Sequence, residues 1–203
     1  MDDTYSTIAA PAEGVYKDKG SKFLAYAFPV QSEQEVKERI ASVKREHHSA
    51  RHHCYAYRMG KEGALLRAND DGEPSGTAGK PILGQLLSAN LTNVLVVVTR
   101  YFGGTLLGTS GLTTAYKSAT ANAIAGAQVV QRTWEVVLTV KFPYAGMNGV
   151  MKIVKDEQLR ILSQDFGNDR CYISVGVRES KAQSVREQLA AAASSSSSSS
   201  ATA

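Results

Sequence analysis

Residues 94–116 read VLVVVTRYFGGTLLGTSGLTTAY and join three kinds of sequence. The apolar run at the start is typical of a central strand that is buried on both faces. A glycine-rich loop follows, and the small residues over 113–127 predict a helix that packs closely on a sheet. Glycines at such a junction either permit tight turns or let backbone N–H groups approach an anion. The loop glycines are Gly103, Gly104, Gly108 and Gly111.

The common nucleotide-binding motifs do not fit this junction. Gly103 and Gly108 have the spacing of a P-loop, but Thr109 stands where that motif requires lysine. The Rossmann pattern GxGxxG is also missing from the loop. Three interpretations stay open: tight turns with close packing, a contact to nucleic-acid phosphate, or a site for a nucleotide substrate.

Upstream of the apolar run, the pattern predicts further elements of one domain. Residues 14–30 predict a hairpin, Ser32 and Glu35 predict a capping box for a helix to about Glu46, and 52–59 predict a strand. A short strand near 65–67, a turn-rich loop over 68–81 and a helix over 82–89 follow. We predict a first domain over 1–130.

A second domain is predicted over 131–203, because the pattern restarts near residue 130. Its elements read β-α-β-β-α, one strand short of a ferredoxin-like unit. An Ala/Ser tail over 190–203 stands where the last strand belongs, and its composition is typical of a disordered segment.

The composition sets limits on function. Lys and Arg number 23 against 19 for Asp and Glu, a mildly basic balance that is compatible with RNA or phosphate partners. Cys54 and Cys171 are far apart and form no CxxC pair, which argues against a disulfide framework or a thiolate zinc site. The N-terminal stretch has no signal-peptide core and no apolar run approaches ~20 residues, so we expect a cytoplasmic protein without a membrane partner. The oligomeric state stays open.

Two segments together closely resemble the signature of the YigZ/Impact family: NDDGEPSGTAGKPIL (69–83) and residues 94–116. GSKFLAYAFPV (20–30) and HHSARHHCYAYR (47–58) fit as well, so this resemblance covers about residues 13–127. The remainder is similar to the extra domain of bacterial members. The Ala/Ser tail is the one clear departure, and it puts the final strand in doubt.

The resemblance implies an α+β protein. Its first domain would be an α/β sandwich like the second domain of ribosomal protein S5. Its second would be a ferredoxin-like βαββαβ domain similar to a C-terminal domain of elongation factor G. That pairing implies RNA or the ribosome as partner, and the eukaryotic relatives are linked to translational regulation through protein partners. No settled catalytic residues come with the family.

The candidate phosphate-binding residues surround the glycine loop. Arg100 can hold a phosphate and an exposed Tyr101 or Phe102 can stack on a base. The alternative is that Arg100 pairs with a carboxylate of the acidic loop while one aromatic seals the core, a role we favour slightly for Phe102. The other candidates are Gly103, Gly104, Gly108, Thr109 and Ser110 of the loop, and the cations Lys22, Arg51, Arg58 and Lys80. Lys80 has a solvated side chain as its alternative role.

Asp70, Asp71 and Glu73 are clustered in the acidic loop. They could hold Mg²⁺ beside a bound phosphate, but we favour their use in turns, since Asp-Gly is a turn dipeptide. His47, His48, His52 and His53 are close in sequence, yet adjacent strand residues point to opposite faces, so we favour a basic patch with Arg51 and Arg58 over a metal site. Cys54 is expected in the core.

These observations favour a non-enzymatic RNA- or ribosome-associated protein without a cofactor. An enzyme acting on a phosphorylated small molecule or nucleotide is the first alternative, with Mg²⁺ as its cofactor. A protein-interaction module is the second. The RNA interpretation expects Lys22, Arg51, Arg58, Lys80 and Arg100 to share one face with the glycine loop.

Overall fold

The structure, a computed structural model of the chain, describes residues 3–167 and 170–194. It is a mixed α/β protein. The strands are β1 Thr4–Ile8, β2 Ala12–Asp18, β3 Ser21–Pro29, β4 His52–Met59, β5 Leu65–Asn69, β6 Val94–Tyr101, β7 Val129–Thr133, β8 Glu135–Phe142, β9 Arg160–Phe166 and β10 Cys171–Arg178. The helices are α1 Glu33–Glu46, α2 Gly79–Ser88, α3 Gly108–Ala125, α4 Met147–Asp156 and α5 Ala182–Ser194.

The chain divides into two compact units. One is Tyr5–Arg132; the other is Thr133–Ala203 together with Met1–Thr4. No helix in the described ranges is long and apolar enough to cross a membrane.

The first unit is built on a five-stranded sheet in the order β2-β3-β6-β4-β5, whose neighbours all pair antiparallel. Val94, Val96 and Val98 of β6 face α2 and α3 in the main core, while Leu95 and Val97 face α1 in a smaller core. The predicted central strand is confirmed, and its continuous apolar run follows from burial on both faces. A separate two-stranded sheet, β1-β7, was not predicted.

The predicted hairpin, the helix after Ser32 and the strand over 52–59 are confirmed. Ser32 Oγ accepts the Glu35 N–H at 3.2 Å, and the Glu35 carboxylate accepts the N–H of Gln31 at 2.7 Å. In a capping box the Glu35 carboxylate would accept the N–H of Ser32, so this second hydrogen bond comes from the preceding residue instead.

Two element boundaries predicted from the sequence were wrong. The loop predicted over 68–81 is shorter, because Ala68 and Asn69 belong to β5 and α2 already begins at Gly79. Helix α3 begins at Gly108 rather than near residue 113, so Thr109, Ser110 and Gly111 form its first turn. In both cases the first turn of the helix contains residues that are typical of loops, so the local composition did not indicate where the helix begins.

The second unit has the element order β8-α4-β9-β10-α5 and a sheet in the order β8-β10-β9. β10 pairs antiparallel with both neighbours, and its inward residues Cys171, Ile173, Val175 and Val177 pack against the helices. The predicted β-α-β-β-α pattern is confirmed. Residues 190–194 of the predicted Ala/Ser tail are helical, and 195–203 lie outside the described residues.

Candidate anion-binding pocket

The candidate site lies at the end of β6 in the first unit. Arg100 shares its face of the strand with Val94, Val96 and Val98, so its side chain enters the main core between the sheet and α3. Tyr101 points to the opposite face, where its hydroxyl bonds His47 Nδ1 at 2.8 Å. Alternation along one strand thus separates two residues that the sequence grouped together.

Arg100 forms a buried ion pair with Glu73. Its Nη1 donates to Glu73 Oε1 at 2.6 Å, and the two residues are only 6% and 8% exposed. Tyr116 of α3 donates its hydroxyl to the same oxygen at 2.8 Å. Burial raises the pKa of Tyr116, which keeps the phenol protonated as a donor. The alternative role of Arg100, pairing with the acidic loop, is therefore the one the structure has.

Asp70 organises the acidic loop and the start of α2. Its carboxylate accepts the backbone N–H groups of Gly79, Gly76 and Ala78 at 2.8 to 3.1 Å. Burial disfavours the charged form of Asp70, but these three donors outweigh that effect and hold the pKa of the carboxyl below its ordinary value. The carboxylate replaces the side-chain cap that Ala78 cannot supply.

Asp71 ties the same loop to β4. Its carboxylate accepts the His53 N–H at 2.7 Å, and its carbonyl accepts a hydrogen bond from His52 Nδ1 at 2.8 Å. Asp71 and Gly72 both have positive φ, as in a tight turn. The three carboxylates thus serve separate structural contacts, and no group of three His, Cys, Asp or Glu side chains in the described part of the chain is arranged for a metal.

The first turn of α3 has backbone N–H donors to which no described side chain provides a cap. Leu107 precedes the helix and offers no side-chain cap, and Gly108, Thr109 and Ser110 are exposed. The N–H groups of a first turn have no acceptor inside an α-helix, and they carry the positive end of its dipole. This end of α3 is therefore suited to an anion.

A cavity of about 320 Å³ lies beside this turn. Its polar wall consists of Arg51, His52, Glu73, Arg100, Thr109 and the backbone of Gly108. Its apolar wall consists of Pro74, Phe102, Leu106, Leu107 and Leu112. We call this cavity the anion pocket.

Two arginines lie beside the aromatic ring of Phe102, which lines the anion pocket. The guanidinium carbons of Arg51 and Arg100 lie 5.0 and 5.6 Å from the centroid of the Phe102 ring. Phe102 is 36% exposed, so the expectation that it seals the core was wrong. Its ring is instead partly exposed beside two guanidinium groups.

The loop glycines have identifiable conformational roles. A Cβ on Gly103 would lie 2.0 Å from the carbonyl carbon of Gly20, because the loop passes directly over the β2-β3 turn. Gly104 and Gly108 have φ of +87° and +72°, which other residues rarely adopt. Packing and turns account for these positions, while the N–H groups at the start of α3 stay available.

The remaining predicted cations do not gather around the anion pocket. Lys22 lies opposite Tyr101 on the α1 face of the sheet. Arg58 lies six residues along β4 from His52, about 20 Å away, and donates to Asn90 and to the Leu91 carbonyl. Lys80 is exposed on α2 beside the acidic loop. Of the five cations expected on one face, Arg51 and Arg100 line the pocket.

The histidines also take separate positions. The His47 ring bonds the hydroxyls of Tyr26 and Tyr101 at 2.6 and 2.8 Å on the α1 face. His52 lines the anion pocket, with Nε2 3.8 Å from Glu73 Oε1. His53 is buried and donates to the His47 carbonyl. The expected basic patch with Arg58 is therefore not formed.

Sequence reasoning missed Tyr116 and all of the apolar wall except Phe102. Leu112, Tyr116, Ala119 and Ala123 recur at helical spacing and are all buried, so the period of α3 carried a usable signal for Tyr116. The free thiol of Cys54, predicted in the core, donates to the Asp70 carbonyl at 3.0 Å, and burial raises its pKa.

Comparison with known proteins gives consistent matches. The Impact N-terminal domain matches residues 19–124. The chain is 32% identical over 184 residues to the IMPACT family member YvyE of Bacillus subtilis, covering 91% of this chain and 84% of that protein. It is 34% identical over 160 residues to the IMPACT family member YigZ of Escherichia coli, covering 78% of each. A crystal structure of a protein described as hypothetical matches 97% of this chain and 96% of its own, with a TM-score of 0.75 and 31% identity.

Proposed function

This chain belongs to the Impact family, and on that premise we propose that it is a non-enzymatic, translation-associated regulatory protein of the cytoplasm that binds RNA, free or ribosomal. The anion pocket of the first unit makes the phosphate contact. The family resemblance supports the link to translation, since its eukaryotic members are linked to translational regulation.

The observation that carries the RNA contact is the first turn of α3. Its uncapped N–H donors open on the same cavity as Arg51 and Arg100. Glu73 neutralises Arg100, so Arg51 and the helix dipole supply the net positive charge of the pocket. Backbone donors and an arginine bind phosphate without reading sequence, which suits a protein that contacts structured RNA.

We also infer the finer folds from the order of the elements. Within the described residues, the second unit has the β-α-β-β-α order and the β8-β10-β9 strand order of the first five elements of a ferredoxin-like domain. The antiparallel sheet of the first unit, covered by α1 on one face and by α2 and α3 on the other, supports the likeness to the second domain of ribosomal protein S5.

Filter binding to structured RNA over a salt series tests the proposed function. We expect Arg51→Ala to weaken binding and to reduce the slope of log K against log salt by about 1. Arg39→Ala is the matched control, because Arg39 is an exposed arginine 5.2 Å from the Phe28 ring on the α1 face. No binding at low salt, or binding that does not respond to salt, would overturn the proposal.

A further inference from the structure

The anion pocket has more apolar wall than a phosphate needs. Pro74, Leu106, Leu107 and Leu112 line it together with Phe102, and Leu106 is 82% exposed. Small-molecule pockets start at about 300 Å³ and combine apolar walls with a few polar groups. A cavity of about 320 Å³ is therefore large enough for a ligand that joins a phosphate to a flat apolar body.

Two buried polar groups in the pocket wall have unused hydrogen-bonding capacity. Arg100 is 94% buried, and its Nε has no hydrogen-bond partner in the described part of the chain. On Glu73, the bonds from Arg100 and Tyr116 both end on Oε1, and no donor among the described residues bonds Oε2. A buried polar atom without a partner is costly, and this applies to Arg100 Nε. Together with the unbonded Glu73 Oε2, it fits a ligand that has both an acceptor and a donor.

A nucleotide has these parts in one molecule. Its phosphate fits the N–H groups of α3 and the Arg51 guanidinium, and its base can stack on the exposed part of the Phe102 ring. The edge of a base presents N–H donors and ring acceptors, which match Glu73 Oε2 and Arg100 Nε. A base paired inside a duplex cannot enter a cavity, so the nucleotide must be unpaired.

We propose that the anion pocket takes one unpaired nucleotide, with its phosphate at the start of α3 and its base against Phe102. This inference rests on the proposed function, because the nucleotide is a residue of the bound RNA. The same chemistry occurs in a free nucleoside monophosphate, and the experiment separates the two sources.

The test titrates the full chain with nucleoside 5′-monophosphates, ribose 5-phosphate and inorganic phosphate. In parallel, it measures binding of a single-stranded RNA and of a blunt duplex of the same sequence. We expect the monophosphates to bind more tightly than the two compounds without a base and to displace the single-stranded RNA. We also expect the single strand to bind more tightly than the duplex. We expect Phe102→Ala to weaken single-strand binding about fivefold or more.

Tyr172→Ala is the matched control for Phe102→Ala. Tyr172 is 39% exposed and carries Lys141 5.1 Å from its ring, but it lies on β10 in the second unit. We expect this variant to bind like the parent. Equal losses in the two variants would overturn the pocket as the stacking site.

The outcomes distinguish this inference from the proposed function. RNA binding with the expected salt response, but equal affinity for single strand and duplex and no binding of monophosphates, overturns the nucleotide pocket and keeps the RNA proposal. Binding of monophosphates without binding of RNA at low salt overturns the RNA proposal and supports the pocket. Equal affinity for monophosphates and inorganic phosphate overturns the role of the base.

Discussion

At the residue scale, the pair of Arg100 and Glu73 combines charge with deep burial. Both side chains are less than a tenth exposed, and the two residues lie 27 positions apart in the chain. Removing one partner of a buried ion pair leaves the other charge without compensation. We expect Glu73→Ala to lower the free energy of unfolding by about 3–5 kcal/mol, measured by urea denaturation.

The pair of Arg160 and Glu135 is the control for that variant. Its nitrogen and oxygen are 2.7 Å apart, nearly the same distance, but its side chains are 66% and 43% exposed. Exposed pairs contribute about 0–1 kcal/mol, so Glu135→Ala should have little effect. Similar losses in both variants would show that burial does not set the strength of the first pair.

Gly103 is a second residue that should affect stability, because the fold has no room for a Cβ atom at this position. Its missing Cβ leaves room for the Gly20 backbone, which cannot move aside like a flexible side chain. We expect Gly103→Ala to destabilise the fold by about 1–3 kcal/mol, measured by thermal and urea denaturation.

Gly84→Ala should change stability in the opposite direction. Gly84 lies inside α2, has nothing within 4 Å of its Cβ position, and alanine favours the helix. We expect a gain of about 0.4–1 kcal/mol. A loss in both variants would mean that general intolerance of Cβ atoms, and not the Gly20 contact, explains the effect at Gly103.

At the element scale, α2 depends on a carboxylate that is distant in sequence from its first turn. Asp70 lies nine positions before Gly79, whose N–H it accepts. We expect Asp70→Ala to cost about 1–2 kcal/mol near neutral pH, as for other lost caps.

The effect of this variant should depend on pH with a definite sign. The folded protein lowers the pKa of Asp70, so the carboxylate stabilises the fold above its ordinary pKa of 3.8. That stabilisation is lost as the pH falls through the lower pKa of the folded state. Denaturation curves of parent and Asp70→Ala should therefore converge in acid, while Glu13→Ala, an exposed carboxylate on β2, should match the parent throughout.

Elements with a strong hydrophobic period could be predicted from the sequence, while the residues at which they begin and end could not. The apolar run over 94–101 indicates a strand that is buried on both faces, and the alternation over 52–59 also indicates a strand. Strands β6 and β4 were therefore predicted correctly. The start of α3 was missed because its first turn contains glycine, threonine and serine and no capping side chain. Its exposed N–H groups follow from the same cause, so the feature that hid the helix start also makes the pocket.

The pocket itself could be predicted only in part. Arg100, Phe102, Gly108 and Thr109 follow from the glycine loop, because they are neighbours in the chain. Leu112 comes from the next turn of α3 and His52 from another strand, while Tyr116 of α3 holds the Glu73 carboxylate of the pocket wall. A single sequence has no signal for which of Asp70, Asp71 and Glu73 meets Arg100, since that choice depends on how the acidic loop closes on α2.

At the scale of the whole molecule, the first unit is one continuous segment of the chain, while the second unit combines two segments that are distant in sequence. The second unit includes Asp3 and Thr4, and the contacts of Asp3 show how this segment is held. The Arg178 side chain donates to both Asp3 oxygens at 2.6 to 2.9 Å, the Ser180 N–H donates at 3.1 Å, and the Asp3 carbonyl accepts the Trp134 N–H at 2.7 Å. Asp3 thus binds three residues of the second unit that lie more than 130 positions away in the chain.

We expect Asp3→Ala to destabilise the second unit at neutral pH and to have no effect in strong acid. The hydrogen bond from Arg178, with that from Ser180, holds the pKa of Asp3 far below its usual range. The stabilisation is therefore present above pH 4 and is lost as the pH falls below it. Trp134 is the single tryptophan, so its fluorescence reports unfolding of this unit alone. The urea midpoint by fluorescence should fall for Asp3→Ala and stay unchanged for Asp165→Ala, an exposed carboxylate on β9. An unchanged midpoint in both variants would mean that the N-terminal residues do not stabilise the second unit.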